Sequence, residues 1–246
     1  MTKPEMIIFD YGHTILHEPG HSAENGNKAI FQCIKDNPDN ITFEYFNKTC
    51  LEMFAEIKAN RGTLEVHEHH FLKLLFDRLN ITLSVSIAQA ERIIWNGISE
   101  GAVMPYVPEM LDYLNRNGIR TAVISNMNWS GDALTERINR LIPNNRFEFI
   151  ISSSEYLFKK PHPFMYEIAL NKAALSADKV WFCGDSIYCD INGAHGVGMF
   201  PVLYEGSTPE ENPSVRDNKD MDIDFEYLHI NHWKELVEVL ERKAQQ

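Results

Sequence analysis

Five short apolar runs punctuate the chain, at residues 5–9, 120–124, 147–151, 180–183 and 200–204. Each of the last four follows a stretch with apolar residues at three- and four-residue intervals, at 107–117, 131–141, 164–174 and 191–196. Strands that alternate with helices predict an α/β fold: a doubly wound, Rossmann-like parallel sheet with helices on both faces. A last helix is expected over 232–243, with Asn231 as its N-cap and Trp233, Leu236, Val237 and Leu240 as the stripe that packs onto the sheet. Residues 206–222, rich in acids, Pro and Ser, read as a surface loop.

Between the first two strand runs the pattern changes. Residues 15 to about 100 show no strand signal and four helical stretches, at 23–36, 42–60, 66–79 and 86–98. This divides the chain into a core of residues 1–15 and 100–246 and a helical cap of residues 16–99. Both ends of the insertion leave from one sheet edge, so the cap should cover whatever lies there. The cluster His67, Glu68, His69, His70 looks at first like a metal site. On a helix, however, His67 and His70 share a face while Glu68 and His69 turn away, and Phe71, Leu72, Leu74 and Leu75 follow as a core stripe. A helix facing surface or substrate is the better reading.

Composition narrows the function. The 246 residues, 44% apolar, suffice for a full core. A net charge of −12 and a pI near 5.3 remove the usual electrostatic route to nucleic acid or to an anionic membrane. A small anionic substrate would need cations placed locally. No apolar run of membrane-spanning length occurs and the N-terminus leads straight into a strand, which predicts a cytoplasmic protein. Cys33, Cys50, Cys183 and Cys189 are too scattered for a disulfide framework and are expected as free thiols, Cys183 in the core and Cys189 after a turn.

Chemistry-bearing residues sit where the strands end. Asp10 closes the first run and opens the turn Tyr11-Gly12-His13-Thr14; Ser125-Asn126 ends the second; Lys160-Pro161 precedes the helix after the third; Gly184-Asp185 ends the fourth, with Asp190 five residues on. In a doubly wound sheet these carboxyl ends converge on one crevice. Three carboxylates, an ammonium and a hydroxyl there describe a site for phosphate and a hard divalent cation. Each residue also has a bland reading: Asp10 and Ser125-Asn126 as turn formers, Asp185 and Asp190 as helix starters, Lys160 as a surface lysine.

Taken in order, these motifs resemble those of haloacid-dehalogenase-superfamily hydrolases with a helical cap inserted after the first motif. The family's D-x-D-x-T corresponds to Asp10–Thr14 with Gly12 in place of the second Asp; its Ser/Thr motif, Lys motif and Gly-Asp motif correspond to Ser125, Lys160 and Gly184-Asp185. The resemblance implies a Mg²⁺-dependent hydrolase of a small phosphorylated metabolite. Asp10 would be the nucleophile, and Mg²⁺ would sit among the Asp10 carboxylate, the Gly12 carbonyl and Asp185. Lys160 would hold the phosphoryl group and keep Asp10 ionised, Ser125 and Asn126 would bind substrate, and Asp190 would orient Lys160 or a metal-bound water.

Gly12 removes the acid–base carboxylate. Three outcomes stay open: a substrate whose leaving group needs no proton, His13 as a substitute acid with its ordinary pKa near neutrality, or different chemistry on the same fold. The last includes phosphotransfer and carbon–phosphorus hydrolysis; the latter uses a cap lysine, for which Lys28, Lys35, Lys48 and Lys58 are available. A non-catalytic phosphate- and Mg²⁺-binding module is the alternative of another class. His17, His21, Arg61, His67, His69 and Tyr106 are the candidates for lining the pocket from the cap or its hinge.

Overall fold

A computed structural model describes residues 2–208, 218 and 221–244. Its elements, in chain order, are β1 (Met6–Phe9), β2 (Leu16–His17), α1 (Ala23–Phe31), β3 (Ile34–Asp36), α2 (Phe43–Asn60), α3 (Glu68–Arg78), β4 (Thr82–Leu83) and α4 (Ile87–Ile98). There follow β5 (Ala102–Val103), α5 (Val107–Arg116), β6 (Arg120–Ser125), α6 (Gly131–Leu141), β7 (Phe147–Ser152) and α7 (Pro163–Ala173). The chain continues through β8 (Val180–Gly184), α8 (Asn192–Gly196), β9 (Phe200–Tyr204), β10 (Leu228–Ile230) and α9 (Trp233–Ala244).

Six strands form one sheet in the order β10-β9-β8-β1-β6-β7, every pairing parallel. The four residues of β1 are apolar and fully buried, as a central strand covered on both faces requires. Their alternation splits the core in two. Ile7 and Phe9 join Val123, Trp181 and Cys183 under α5, α6 and α9. Met6 and Ile8 join Ala122, Ile124 and Phe182 under α7 and α8. Phe9 lies level with Val123 on one side and Cys183 on the other, so β1, β6 and β8 deliver their next residues to one edge.

The insertion leaves that edge through β2 and returns through β5, which pair antiparallel. Helices α1 to α4 bury a cluster of their own around Phe46, Leu72, Leu75 and Ile94. Their starts follow the sequence: Thr42 caps α2, and Ser86 with Gln89 forms a reciprocal capping box on α4. The sequence reading needs correction at short elements. The helix expected over 23–36 stops at Phe31, and Ile34–Asp36 pairs antiparallel with Thr82–Leu83, so the insertion does contain strands. Strands of two or three residues are too short to show a period. The same holds for β10, an edge strand of three residues that completes the sheet. Helix α9 is capped by His232, whose Nδ1 accepts from the Lys234 N–H at 3.1 Å, rather than by Asn231. Most of the loop expected over 206–222 lies outside the described residues.

The histidine cluster also departs from expectation. His67 stands outside α3 as its N-cap, its ring accepting from the His69 N–H, so the helical phase starts one residue later. Glu68 is buried, and Leu74 is exposed while Phe71, Leu72 and Leu75 pack inward. His69 points its ring at buried Glu91, 2.9 Å away.

Candidate active site

The Asp10 N–H bonds the Cys183 carbonyl at 2.8 Å and carries the β1 ladder one residue past the strand. The chain then turns sharply: the Tyr11 carbonyl accepts from the N–H groups of Ile15 at 3.1 Å and Leu16 at 3.0 Å. Tyr11 is pinned by its own hydroxyl, which donates to Glu18 at 2.8 Å. The turn thereby presents the Asp10 carboxylate, 8% exposed, over the sheet edge.

Lys160 is buried to 1% exposure, and its ammonium lies 2.6 Å from Asp10 Oδ1, 2.6 Å from Asp190 Oδ1 and 3.1 Å from the Ile124 carbonyl. Three donors meet three acceptors, which fixes the group in place. Burial alone would depress its pKa; the two carboxylates outweigh that and hold it above the ordinary lysine value. Asp190 is pushed up to about 6 by burial, against the pull of Lys160 and with the push of Asp10. Its second oxygen accepts the Ser186 N–H at 3.0 Å. Gly184 is required by this packing, since a Cβ there would stand 2.3 Å from the Asp190 carboxyl.

Asp185 follows Gly184, and its carboxylate, with those of Asp10 and Asp190, completes a cluster whose ligand oxygens lie within 4.8 Å of one another. Both Asp190 oxygens are already bonded, so the second Asp10 oxygen and Asp185 are the better ligands for a hard cation. Oxygen donors in this number suit Mg²⁺. Position 12 is open: a Cβ added to Gly12 meets nothing within 4 Å, and the backbone there is not left-handed.

A cavity of about 350 Å³ opens over these groups and is lined by Asp10, Gly12, Ser125, Asn126, Lys160, Asp185 and Asp190. Asn126 differs from its expected role. Its Oδ1 accepts the Lys160 N–H at 2.7 Å and its Nδ2 donates to the Lys160 carbonyl at 2.8 Å, so the amide clamps the lysine's backbone instead of reaching for substrate. His13 sits at φ 53° and is absent from the cavity wall, as are His17, His21, Arg61, His67, His69 and Tyr106. His17 is buried in β2, Arg61 pairs with Glu65, and Tyr106 stacks on His232. None of Lys28, Lys35, Lys48 and Lys58 lines this cavity.

Residues outside the sequence reading complete the wall. Trp95 of α4 and Trp129 of the loop after β6 stack at 5.1 Å between ring centroids, 9° from parallel. Glu18 is held by Arg137 at 2.8 Å, and the guanidinium carbon also lies 4.1 Å from the Trp95 ring. A large aromatic in a loop just beyond a strand's carboxyl end was the available signal for Trp129. Cys189 lies at the rim with its thiol toward the Lys160 carbonyl, and burial raises its pKa. All four cysteines are free thiols.

Comparison with known proteins agrees with this arrangement. The family model for haloacid dehalogenase-like hydrolases matches residues 30–203, and the chain belongs to that family of enzymes. The match begins beyond the Asp10 turn, so it does not bear on Gly12. The glyceraldehyde 3-phosphate phosphatase of Pyrococcus furiosus is 26% identical, with 99% of this chain and 95% of the relative covered. The ribulose-1,5-bisphosphate 5-phosphatase of Halopiger xanaduensis is 24% identical over 87% of this chain and 89% of its own length. Among solved structures, a HAD phosphatase from Thermococcus onnurineus superposes with a TM-score of 0.62 at 16% identity, covering 98% of both chains. A 2-haloacid dehalogenase from Pseudomonas syringae gives 0.61 at 19% identity, covering 98% of this chain and 99% of its own. These two likenesses are of fold. No helix among the described residues is long and apolar enough to cross a membrane.

Proposed function

We propose that this hydrolase is a phosphatase of small phosphorylated metabolites, with Asp10 as its nucleophile. The observation that carries the reading is the buried Lys160 ammonium bonded at 2.6 Å to both Asp10 and Asp190. A lysine in that place holds Asp10 ionised and in a fixed rotamer while leaving its second oxygen available for attack on phosphorus. Attack forms an aspartyl phosphate and expels the substrate oxygen; water then attacks phosphorus and releases phosphate and the Asp10 carboxylate. Lys160 and Ser125 face the phosphoryl oxygens, and Asn126 acts indirectly by positioning Lys160. Asp190 orients Lys160.

Asp10, Asp185 and the Gly12 carbonyl are the groups that would hold Mg²⁺, which when bound supplies positive charge against the phosphoryl oxygens. Loss of a side chain at position 12 leaves a backbone ligand untouched. It does remove a proton donor beside the departing oxygen, and His13 is absent from the cavity wall. The chain is therefore suited to leaving groups stable as anions. A carbon–phosphorus hydrolase that forms a Schiff base on one of the four cap lysines is disfavoured by their absence from the cavity.

The full-length relatives named glyceraldehyde 3-phosphate phosphatase make that triose the first metabolite to assay. Phosphate release from glyceraldehyde 3-phosphate, acetyl phosphate and p-nitrophenyl phosphate should require Mg²⁺, be lost on chelation, and vanish in Asp10→Asn. Absence of Asp10-dependent turnover across the panel overturns the proposal.

A further inference from the structure

A second cavity, of about 670 Å³, shares a wall with the catalytic one: Asn126, Lys160 and Cys189 line both. Its far side is basic. Lys58 and Arg61 from the end of α2 and Lys159 from the segment before α7 all line it, against one acid, Glu65. Glu65 is already committed, paired with Arg61 and accepting from Ser153 Oγ at 3.0 Å. Arg61 is thereby neutralised, and its Nε is buried without a hydrogen-bond partner. Among the described residues, neither the Lys58 nor the Lys159 ammonium has an ion-pair partner, in a chain that carries −12 overall. The Lys159 pKa is lowered by burial and then by Arg61 and Lys58, which shows cations gathered without matching anions. The backbone holds them in place: the Lys159 N–H bonds the Thr63 carbonyl at 3.0 Å, and the Glu65 N–H bonds the Leu157 carbonyl at 2.7 Å.

We infer that Lys58, Lys159 and Arg61 form a second anion subsite, which binds a phosphate or carboxylate at the non-reacting end of the substrate. The inference rests on the phosphatase reading for its link to turnover. An anion in this cavity removes the repulsion among the three cations, and the shared wall lets one small molecule bridge both cavities. Its substrates are accordingly phosphate esters with two anionic ends.

Fructose 1,6-bisphosphate and 3-phosphoglycerate, each with two anionic groups, are to be compared with glycerol 3-phosphate, which has one. The wild-type chain should favour the first two. A Lys58→Gln/Lys159→Gln variant should lower that preference in kcat/KM by about 10- to 100-fold, the range for charge-assisted hydrogen bonds. The loss should fall in KM more than in kcat, and Lys159→Arg should keep the preference. The bisphosphate against the carboxylate decides which anion the subsite takes. An equal effect on all three substrates, or none, overturns the subsite. If the chain proves to have no phosphatase activity, calorimetry on folded Asp10→Asn protein separates the two questions. Tighter binding of either two-anion compound than of glycerol 3-phosphate, lost in the double lysine variant, upholds the subsite; equal binding rejects it.

Discussion

Restoring the missing acid with Gly12→Asp is the sharpest test of the active-site reading. The structure makes the substitution sterically free, because a Cβ at position 12 contacts nothing within 4 Å and the backbone is outside the left-handed region. Glycine is thus not required there by the turn, and its effect is chemical. A general acid beside the departing oxygen is worth about 10²–10⁴ in rate, or roughly 3–5 kcal/mol of barrier. That full gain applies only where the leaving oxygen is strongly basic. With glycerol 3-phosphate, kcat should rise by about 10²-fold or more, whereas p-nitrophenyl phosphate should gain less than about tenfold. Gly12→Asn supplies a side chain of the same size with no titratable proton and should give neither gain. The new carboxylate joins Asp10 and Asp185, so a thermal melt with and without Mg²⁺ must confirm that the variant is folded. Equal acceleration of both esters, or acceleration by Gly12→Asn, would refute the idea that residue 12 limits proton transfer.

Replacing Lys160 with Met leaves buried Asp10 and Asp190 without their cation; denaturant unfolding should show a loss of about 3–5 kcal/mol, and phosphate release should fall by at least about 10²-fold. Arg137→Ala removes a guanidinium that bonds Glu18, Asn96 and the Ser99 carbonyl; it strands buried Glu18 beside the cavity and should cost about 3–5 kcal/mol by the same measurement. Glu68 is pushed up to about 8 by burial, with Asn128 opposing and Glu91 adding to the shift. Its folded pKa lies above the unfolded value, so the folded state binds the extra proton and stability falls as pH rises from about 4.5 to 8, by at most about 1.4 kcal/mol per pH unit. Glu68→Gln should flatten that slope, and melts at pH 5 and pH 9 should then differ less than in the parent; an unchanged difference counts against the assignment.

The strands were legible because continuous apolar runs of four to six residues leave little choice in a sheet covered on both faces. What could not be read were elements without a period, such as β3, β4 and β10, and polar groups whose burial depends on a distant partner. Glu91 looks like a surface acid in sequence. In the fold it is fully buried, because the Ser130 N–H and hydroxyl both donate to it at 2.6 Å. Asn126 was visible as a site residue by position, but its use as a clamp was not, since Lys160 lies 34 residues away in the chain. Asp10, Lys160, Asp185 and Asp190 could be placed together because doubly wound topology brings strand ends to one edge whatever the intervening sequence.

The segment from Asn126 to Ser130 joins these observations. Asn126 fixes the Lys160 backbone, Asn128 donates to Glu68 at the start of α3, Trp129 stacks on Trp95 of α4, and Ser130 binds Glu91 of α4. Successive residues of one short loop thus hold the catalytic lysine on one side and two helices of the insertion on the other. A helix from the insertion cannot move away from the sheet edge without breaking bonds to buried carboxylates or shifting the loop that carries Asn126. Both Glu68 and Glu91 are nearly or fully buried, and leaving either unpaired costs several kcal/mol. The geometry of Lys160 is therefore coupled to the position of α3 and α4, and substitutions at Asn128 or Ser130, which touch no reacting atom, should alter turnover through that coupling.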